Sequence, residues 1–515
     1  MPNDAHAVEL LWLARLAAIQ VSVPQASTLS TSTKSSLSSQ AARGVIWTGA
    51  GQILRQVIQV GSQLVLARLL APDVFGLLGM ALVFVGIGQL LADFGIGSAI
   101  VQSRDLGGKV LSTCFWLNLS VGVVLTIVVL AAAPLVGAFY GRTDLTPLVA
   151  VLSLNLLLSA LQTVPTGLLY RDMRFADIAR AQVLGTLGAA AVAISMASTG
   201  FGVWALVAQP LFGTSIMLFV MWRATGWLPK LEFCYGEARP LMRFSLALLG
   251  TNLVGYGHRN VDGLLIGRFL GAGPLGVYSM AIQIMLFPLQ QVSSVIVRVL
   301  FPMLAQVQDD VPRLRSAYLK AVATIVFITF PLMGGLFVLA DDFVRVVFGP
   351  SWAEMAPILK VLSWVGMMQS VGTTMGSIYL AVGRTDIALR VTLVVAPVLI
   401  VGLAAGLPWG IQGVAIGYAL ASFSLFYYTA LTAYRLIGLR LVDFHAVIVR
   451  PGLAMLVMLA VLQVAGTFVS AWPPTLRLGA GVALGGVAYL LASLLINRAQ
   501  IDELLGILRS LRRRN

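Results

Sequence analysis

The chain contains 515 residues, of which 58% are hydrophobic and 10% are charged. Soluble globular domains carry about 25% charged residues, so the composition excludes an ordinary soluble protein and predicts an integral membrane protein. The net charge of +14 does not indicate nucleic-acid binding, because the basic residues are dispersed over short loops rather than gathered in a stripe interleaved with aromatic side chains.

Long apolar runs follow one another along the chain. Each is about 20 residues long, which is the length that a helix needs to cross the hydrocarbon core, whereas a membrane barrel needs shorter strands of alternating polarity. The sequence therefore predicts an all-α integral membrane protein with about fourteen transmembrane helices. The predicted spans lie near residues 45–70, 74–100, 111–138, 145–169, 181–199, 202–222, 241–268, 274–302, 320–340, 355–382, 387–407, 410–434, 448–470 and 478–496.

The distribution of Lys and Arg predicts how these spans are oriented. Most of the 34 basic residues fall in the terminal segments and in the loops on one side of the membrane. An excess of basic residues in short loops marks the cytoplasmic side. We therefore expect both termini to be cytoplasmic.

Two segments about 200 residues apart match each other, at residues 64–81 (LVLARLLAPDVFGLLGMA) and 264–281 (LLIGRFLGAGPLGVYSMA). The identical pairs are Leu64/Leu264, Arg68/Arg268, Leu70/Leu270, Gly76/Gly276, Met80/Met280 and Ala81/Ala281. An apolar chain also produces chance matches, so the repeat is a hypothesis. Since spans 1 and 7 run in the same direction, it predicts two six-helix lobes related by a pseudo-twofold axis along the membrane normal, a plan found in transporters.

The predicted organisation follows from the spans and the repeat. Two C-terminal helices lie outside the repeat, and a Ser/Thr-rich segment precedes the first span. The predicted parts are a disordered cytoplasmic tail at 1–43, an N-terminal lobe at 44–223, a C-terminal lobe at 224–440, spans 13 and 14 at 441–497, and a basic cytoplasmic tail at 498–515.

Span 1 carries an arginine at about its midpoint. An ionisable residue at the centre of a bilayer costs at least about 2.5–3.5 kcal/mol, so a functional role is the first expectation. Arg55 shares one helix face with four glutamines, because their spacing is i, i+3, i+4, i+7 and i+11. We interpret this stripe as a substrate-binding cation beside sugar-binding amides; the alternative is a set of amides that joins helices around a structural arginine. The glutamines are Gln52, Gln56, Gln59 and Gln63.

Span 7 carries a second polar cluster. His258, Arg259 and Asp262 are spaced so that their side chains can touch on one helix face, and Tyr256 extends that face. We interpret Arg259 and Tyr256 as substrate-binding residues, and Asp262 and His258 as candidates for ion coupling. The alternative is an internal Arg–Asp pair that neutralises two buried charges.

Two further charges lie within spans. Asp93, in the inner half of span 2, is a candidate for ion coupling or a partner for Arg55, and the alternative is a gate or cap residue near a glycine-rich helix end. Arg298, near the inner end of span 8, could attract anionic substrates. It is equally consistent with an arginine that extends to the membrane interface.

No motif for a metal, a cofactor or an enzymatic reaction occurs in the sequence. Residues 271–276 read GAGPLG, but this segment follows a membrane span rather than a strand, and the chain has no Walker A motif. Cys114 and Cys234 lie in different segments without metal-ligand spacing. We therefore expect no metal, no cofactor and no enzymatic activity.

Several segments resemble Wzx-type polysaccharide flippases of the multidrug/oligosaccharidyl-lipid/polysaccharide exporter superfamily. The run from Gly44 to Leu106, which contains RQVIQVGSQLVLARLLAPDVFGLLGMA, looks like the first two spans of that family. HRNVDGLLIGRFLGAGPLGVYSMA and VRVLFPMLAQVQDD look like its spans 7 and 8, and YLAVGRTDIALR resembles the start of span 11. The resemblance covers roughly residues 44–445.

The resemblance implies a V-shaped bundle of two lobes, with a cationic central cavity and alternating access. Its implied substrate is an undecaprenyl-pyrophosphate-linked oligosaccharide, moved from the inner to the outer leaflet of the bacterial inner membrane, with a polysaccharide polymerase and a chain-length regulator as possible partners. Arg55, Arg259 and Asp262 fall where such proteins place charges of the cavity, and antiport of an ion is usual in the superfamily.

Two other functions remain as alternatives. A drug or metabolite exporter of the same superfamily would share the fold, although two arginines suit a cationic substrate poorly. A membrane polysaccharide polymerase needs a large outside loop that bears catalytic residues, and no predicted outside loop is long enough.

Overall fold

The computed structural model describes residues 31–92, 97, 100, 107–232, 256, 260–307, 310–498 and 500–501. For residues 31–46, 294–295 and 298–299 it describes the backbone alone. These parts of the chain are helical and contain no β-strand.

Fourteen long helical segments are present within the described ranges. We number them α1 to α14, and α7 comprises the described residues 260–269 of its helix. Each predicted span overlaps one of them, so the prediction of an all-α protein with about fourteen transmembrane helices is confirmed. The other helices are α1 Thr31–Leu69, α2 Pro72–Ala92, α3 Gly108–Tyr140, α4 Leu145–Arg171, α5 Phe175–Ser198, α6 Val203–Thr225, α8 Ala272–Gln306, α9 Val311–Val347, α10 Met355–Ala381, α11 Thr385–Gly406, α12 Gly410–Ile437, α13 Leu441–Phe468 and α14 Pro474–Ile496.

Three of these helices are not among those that are long and apolar enough to cross a membrane. Ten helical regions within the described residues meet that requirement, and one of them, Thr385–Ile437, contains both α11 and α12. α1, α10 and the ten described residues of α7 lie outside these regions. α1 carries the stripe of Arg55 and glutamines, and α10 is rich in buried hydroxyl residues such as Ser370 and Thr374. α10 is largely buried, and a helix that protein surrounds needs no lipid-compatible surface, whereas much of α1 is exposed.

The first helix begins earlier than the first predicted span. α1 starts at Thr31, whereas the sequence predicts a span from residue 45 and a disordered tail at 1–43. Residues 1–30 lie outside the described part of the chain. Extending an existing helix adds one hydrogen bond for each residue that becomes ordered, so a stable span can continue into a polar Ser/Thr segment that would not form a helix alone.

The structure comprises two compact units. Residues Leu29–Ser279 form the N-terminal unit, and the described residues from Met280 onward form the C-terminal unit. The N-terminal unit therefore contains α1 to α7 and the first residues of α8. The lobe boundary expected between residues 223 and 224 stays a prediction.

The same helix pairs pack together within each unit. In the N-terminal unit α3 packs on α4, α4 on α6, and α5 on α6; in the C-terminal unit α9 packs on α10, α10 on α12, and α11 on α12. The last two helices, α13 and α14, pack on each other and on α9. This correspondence supports a repeated six-helix plan with two helices added at its end.

Corresponding turns have the same backbone conformation. Met173, between α4 and α5, has φ 54°, and Gly383, between α10 and α11, has φ 73°. In both turns the amide of the next residue donates to a carbonyl five residues earlier, with an N···O distance of 2.9 Å. A left-handed residue after a helix satisfies its terminal carbonyls, and glycine adopts this conformation at lower cost than methionine. The repeat therefore extends to the turns, although the residue differs between its two copies.

The glycines of the sequence repeat lie in contact with each other's helices. A Cβ atom at Gly76 of α2 would overlap the Ala272 carbonyl of α8, and a Cβ atom at Gly276 would overlap the Pro72 carbonyl. The contact is reciprocal, as a local twofold relation requires, and it allows the two backbones to approach closely. The match between residues 64–81 and 264–281 thus has a structural role within the N-terminal unit.

An interior proline of α4 has a specific partner on α6. Pro165 has no N–H, so it leaves the carbonyl of Leu161 without its helical hydrogen bond. The Trp222 indole Nε1–H donates to that carbonyl, with an N···O distance of 3.3 Å. Replacement donors of this kind make prolines tolerable in transmembrane helices.

α9 and α14 repeat this arrangement in the C-terminal unit. Pro331 leaves the Phe327 carbonyl without its helical donor, and the Tyr489 hydroxyl of α14 donates to it at 2.8 Å. Tyr489 is only 4% exposed, so water cannot easily replace this hydroxyl. The C-terminal helix α14 thereby completes the hydrogen bonding of α9.

Substitution of Gly276 tests the close approach of α2 and α8. Gly276→Ala should destabilise the protein by about 1–3 kcal/mol, the usual cost of adding a carbon to a fully packed site. Gly273→Ala, in the same helix, is the matched control because a Cβ atom there meets no atom within 4 Å. The apparent melting temperature of the purified protein in detergent is the measurement. Equal melting temperatures for the two variants would contradict the packing.

A double-mutant cycle tests the partner of the α9 proline. Tyr489→Phe should cost about 1–3 kcal/mol, because it leaves the buried Phe327 carbonyl without a donor. In the Pro331→Ala background the cost should be smaller, since the new amide can bond that carbonyl itself. Melting temperatures of the four proteins give the coupling, and an equal cost in both backgrounds would show that Tyr489 acts by packing alone.

Candidate functional site

The arginine of α1 is bonded within its own helix and has a buried donor without a partner. The Arg55 Nη2 atom donates to Gln52 Oε1 at 3.0 Å. Its Nε atom is buried and has no hydrogen-bond partner, and no described carboxylate forms an ion pair with this guanidinium. A buried donor without an acceptor costs about 1–3 kcal/mol, and more when it is charged. An anionic ligand that accepts from Nε would remove that cost.

The glutamines beside Arg55 are not all covered by neighbouring helices. α1 packs against α5, where Gly51 lies close to Ala179. Gln52 and Gln59 are exposed, and Gln56 is half-buried. If the glutamine side chains served only to join α1 to another helix, that helix would cover them. Glutamine side chains that no helix covers are unfavourable in contact with lipid. The exposed positions therefore favour a stripe that faces water or a polar ligand.

Tyr256 contributes to helix packing as well as to a pocket. Its hydroxyl lies against Gly86 of α2 and approaches two backbone oxygens, Leu82 O at 3.1 Å and Val83 O at 3.0 Å. The hydroxyl proton is therefore used by α2, while the oxygen can still accept a hydrogen bond. The predicted role of Tyr256 in substrate binding stays a prediction, and the structure adds a role in holding α2.

Asp262 lies on α7 and is half-buried. Its Oδ1 atom accepts a hydrogen bond from the Gly263 amide at 2.8 Å, and it forms no ion pair with any residue that the structure describes. Its predicted neighbours His258 and Arg259 lie outside the described residues, as does Asp93. Arg298 belongs to α8, but its side chain is not described. The predicted roles of these residues stay predictions.

The N-terminal unit contains a polar pocket of about 720 Å³, a volume typical of small-molecule sites. It lies between the C-terminal half of α2 and the C-terminal half of α4. All of its described lining residues are uncharged, and most of the larger ones carry an amide or a hydroxyl. They are Gly86, Gln89, Leu90, Ala92, Gly97, Ser159, Gln162, Thr163, Thr166, Gly167, Tyr170 and Tyr256.

Hydrogen bonds to neighbouring helices fix the α4 wall of this pocket. Asn118 of α3 donates through Nδ2 to Ala160 O at 2.9 Å and to Thr163 Oγ1 at 3.1 Å. Thr163 donates in turn to Ser159 O at 3.1 Å. Asn118 is 1% exposed, so these bonds lie behind the pocket and position its wall without occupying it.

Sequence reasoning did not find this pocket, although a signal for it was present. The polar residues of α4 lie at positions 159, 162, 163, 166 and 170, which have the same i, i+3, i+4, i+7 and i+11 spacing as the Arg55 stripe. They form one face of a helix, but none is charged, so a search for costly buried charges passes over them.

No group of three or more His, Cys, Asp or Glu residues within the described ranges could hold a metal ion. Cys114 is buried. The groups available among the described candidate residues are the Arg55 guanidinium, the Asp262 carboxyl, several amides and several hydroxyls, which suits the binding of a polar molecule.

Comparison with known proteins places this geometry in a family. The family model described as polysaccharide biosynthesis protein matches residues 65–357. The lipopolysaccharide biosynthesis protein WzxC of Escherichia coli (strain K12) is 30% identical over 400 residues, which cover 75% of this chain and 79% of that protein. The succinoglycan biosynthesis transport protein ExoT of Rhizobium meliloti (strain 1021) is 27% identical over 459 residues, covering 87% and 91%.

Two solved structures share the fold. The lipid II flippase MurJ in an inward closed conformation has a TM-score of 0.71 at 16% identity, over 88% of this chain and 100% of that one. An inward-facing multidrug resistance MATE family transporter of the MOP superfamily has a TM-score of 0.59 at 16% identity, over 75% and 98%.

The helical fold, the family match over more than half of the chain and the identity to WzxC agree with the resemblance found in the sequence. This chain belongs to the polysaccharide biosynthesis protein family, as a multi-pass membrane transporter of the Wzx type and not an enzyme.

Proposed function

We propose that this protein moves a polyprenyl-pyrophosphate-linked oligosaccharide from the inner to the outer leaflet of the cytoplasmic membrane by alternating access. The product would serve exopolysaccharide or lipopolysaccharide synthesis. Family membership supports this proposal, as do the names of its relatives, a lipopolysaccharide biosynthesis protein and a succinoglycan transport protein. The observation that carries it is the unpartnered, buried Nε atom of Arg55 on a polar stripe of α1.

The pyrophosphate is the group that Arg55 suits best. A guanidinium presents several donors in a plane and binds phosphate oxygens through paired, charge-assisted hydrogen bonds. Arg55 uses Nη2 on Gln52 and retains other donors for an anion. Gln52 and Gln59 offer amides for the first sugars. Arg259 and Arg298 are further cations that we assign to the same substrate.

The orientation follows from the basic residues. With both termini in the cytoplasm, the C-terminal ends of α2 and α4 face the inner side of the membrane. The substrate is made at the inner leaflet, so the pocket between these helices would lie on the loading side. An undecaprenyl chain is the carrier that we expect, with a polysaccharide polymerase and a chain-length regulator as the partners that use the delivered product.

Ion coupling is the second part of the proposal. We assign the coupling role to Asp262, with Asp93 and His258 as supporting residues. Asp262 lies within a membrane-spanning helix and has no ion pair with a described residue, so protonation could change its charge without breaking such a pair. Proton binding after substrate release would then return the transporter to its starting state.

Arg55→Ala and Arg259→Ala test the proposed substrate site. Loss of a charge-assisted contact of about 1.5–3 kcal/mol should lower the affinity for an undecaprenyl-pyrophosphate glycan about 10- to 100-fold. The affinity of Arg55→Lys should lie between those of the wild type and Arg55→Ala, because lysine keeps the positive charge but lacks the planar set of paired donors. Flipping by purified protein in vesicles, read with a fluorescent glycan lipid and a membrane-impermeant quencher, is the measurement.

Arg68→Ala is the control for these variants, because Arg68 lies at the end of the same helix and is exposed. It should flip the lipid at the wild-type rate. Undiminished flipping by both Arg55→Ala and Arg259→Ala, at normal protein levels, would overturn the site assignment.

Asp262→Asn tests ion coupling. Because the amide cannot take up a proton, the variant should lose any acceleration of flipping by an imposed pH gradient and keep its affinity for the substrate. Asp443→Asn, in the first turn of α13 where Asp443 is half-buried and pairs with Arg440 at 3.6 Å, should retain the acceleration. An equal response to the gradient in wild type and Asp262→Asn would exclude Asp262 as the coupling group.

A further inference from the structure

We propose that the pocket between α2 and α4 is a carbohydrate subsite that binds an uncharged sugar of the lipid-linked glycan. The proposal rests on the proposed function, but it concerns residues apart from Arg55 and a different part of the substrate. It assigns the sugar contacts to Gln89, Gln162 and Thr166, with Tyr170 as an aromatic wall. These residues line one continuous pocket.

The pocket offers unused acceptors as well as the amide N–H groups of its two glutamines. The Oε1 atom of Gln89 is buried and has no hydrogen-bond partner. The Thr166 hydroxyl donates to Gln162 O at 2.8 Å, and the Tyr256 hydroxyl approaches the α2 carbonyls. Since each hydroxyl has one proton and two lone pairs, these oxygens remain able to accept. A sugar presents several hydroxyl donors, which is the complementary set.

The charge of the described lining residues bears on which ligand fits. None of them is charged at neutral pH, because their only titratable groups are the two tyrosine hydroxyls. A pyrophosphate, or the carboxylate of a uronate, brings a negative charge and would find no cation among these residues. A small cation would meet no carboxylate among them. A neutral sugar satisfies the acceptors without a charge.

An aromatic residue completes the description of the pocket. Tyr170 lines it and is 42% exposed, which gives an apolar ring beside polar groups. Binding sites commonly combine an apolar or aromatic surface with a few fixed polar groups. The less polar face of a sugar ring can pack on Tyr170 while its hydroxyls bond to Gln89 and to the α4 residues.

The pocket wall is fixed before any ligand binds. Asn118 holds Thr163 and Ala160 from behind, and Trp222 holds the Leu161 carbonyl that Pro165 leaves free. Groups held in place lose little freedom on binding. In this proposal Arg55 binds the pyrophosphate linkage, and the pocket between α2 and α4 binds a neutral sugar.

Gln89→Leu is the most discriminating variant, because it should maintain or raise the stability of the protein while it lowers the affinity for a sugar. It removes an acceptor that is unsatisfied in the free protein, so the apparent melting temperature should stay equal to the wild type or rise. It should nevertheless weaken binding of a sugar. A residue with only a structural role would lose stability and leave the sugar contribution unchanged.

The experiment uses the full-length protein and three probes: undecaprenyl pyrophosphate, the same lipid carrying one glucose, and the same lipid carrying one glucuronate. Wild type should bind the glucose form more tightly than the bare lipid and gain less from glucuronate, whose carboxylate finds no cation among the described lining residues. Gln89→Leu should lose about two- to tenfold affinity for the glucose form, as expected for one hydrogen bond, and retain its affinity for the bare lipid.

A second pair of variants separates the pocket from the general effect of removing a threonine hydroxyl. Thr166→Val lies in the pocket, and Thr186→Val lies in α5 outside it. Both hydroxyls lie 2.8 Å from the carbonyl of a glutamine four residues earlier, so loss of that bond should cost the same in both variants, and Thr166 Oγ1 also lies 3.2 Å from Met221 Sδ. Thr166→Val alone should reduce the contribution of glucose to binding.

Three results would overturn the assignment in distinguishable ways. If wild type binds the bare lipid and gains no affinity from glucose, the carbohydrate subsite is wrong while the proposed function stands. If wild type gains affinity from glucose but Gln89→Leu and Thr166→Val gain it equally, the sugar binds elsewhere. If wild type binds none of the three lipids, the proposed function itself fails.

Discussion

The bilayer requires each backbone polar group to find its partner within the protein, and this requirement shapes both the fold and the pocket. It explains why two interior prolines, Pro165 and Pro331, come with donors from other helices, Trp222 for α4 and Tyr489 for α9. It also explains why threonine hydroxyls return to the carbonyl four residues before them. Thr166 lines the pocket as an acceptor because its proton is used in this way.

The repeat places the same architectural elements in two different chemical settings. Equivalent turns after α4 and α10 keep one backbone conformation, although Met173 stands where the second copy has Gly383. The reciprocal contact of Gly76 and Gly276 keeps its geometry because any side chain would separate the helices. Polar residues are less constrained in this respect, so α4 carries a pocket wall and α10 carries a buried hydroxyl network in which Tyr318 bonds both Thr374 and Tyr434.

Hydropathy predicted the helices well because a span must be long and apolar, and each predicted span overlaps a helix. It could not predict that α1 continues back to Thr31, since helix extension depends on the stability of the span rather than on its polarity. In the site, Arg55 was visible as a costly charge. The pocket was not, because it forms when Gln89 meets residues of α4 that are far away in sequence, and because none of those residues carries a charge.

The donors that serve the two prolines also impose an order on biosynthesis. Leu161 and Trp222 are separated by 61 residues, and Phe327 and Tyr489 by 162. When α9 leaves the ribosome, its freed carbonyl has no partner until α14, the last long helix of the described chain, has been made and has packed against it. Exposure of such a carbonyl to lipid costs several kcal/mol. A ribosome that stalled before Tyr489 would therefore leave a chain with a defect in the middle of α9, far from the point of truncation.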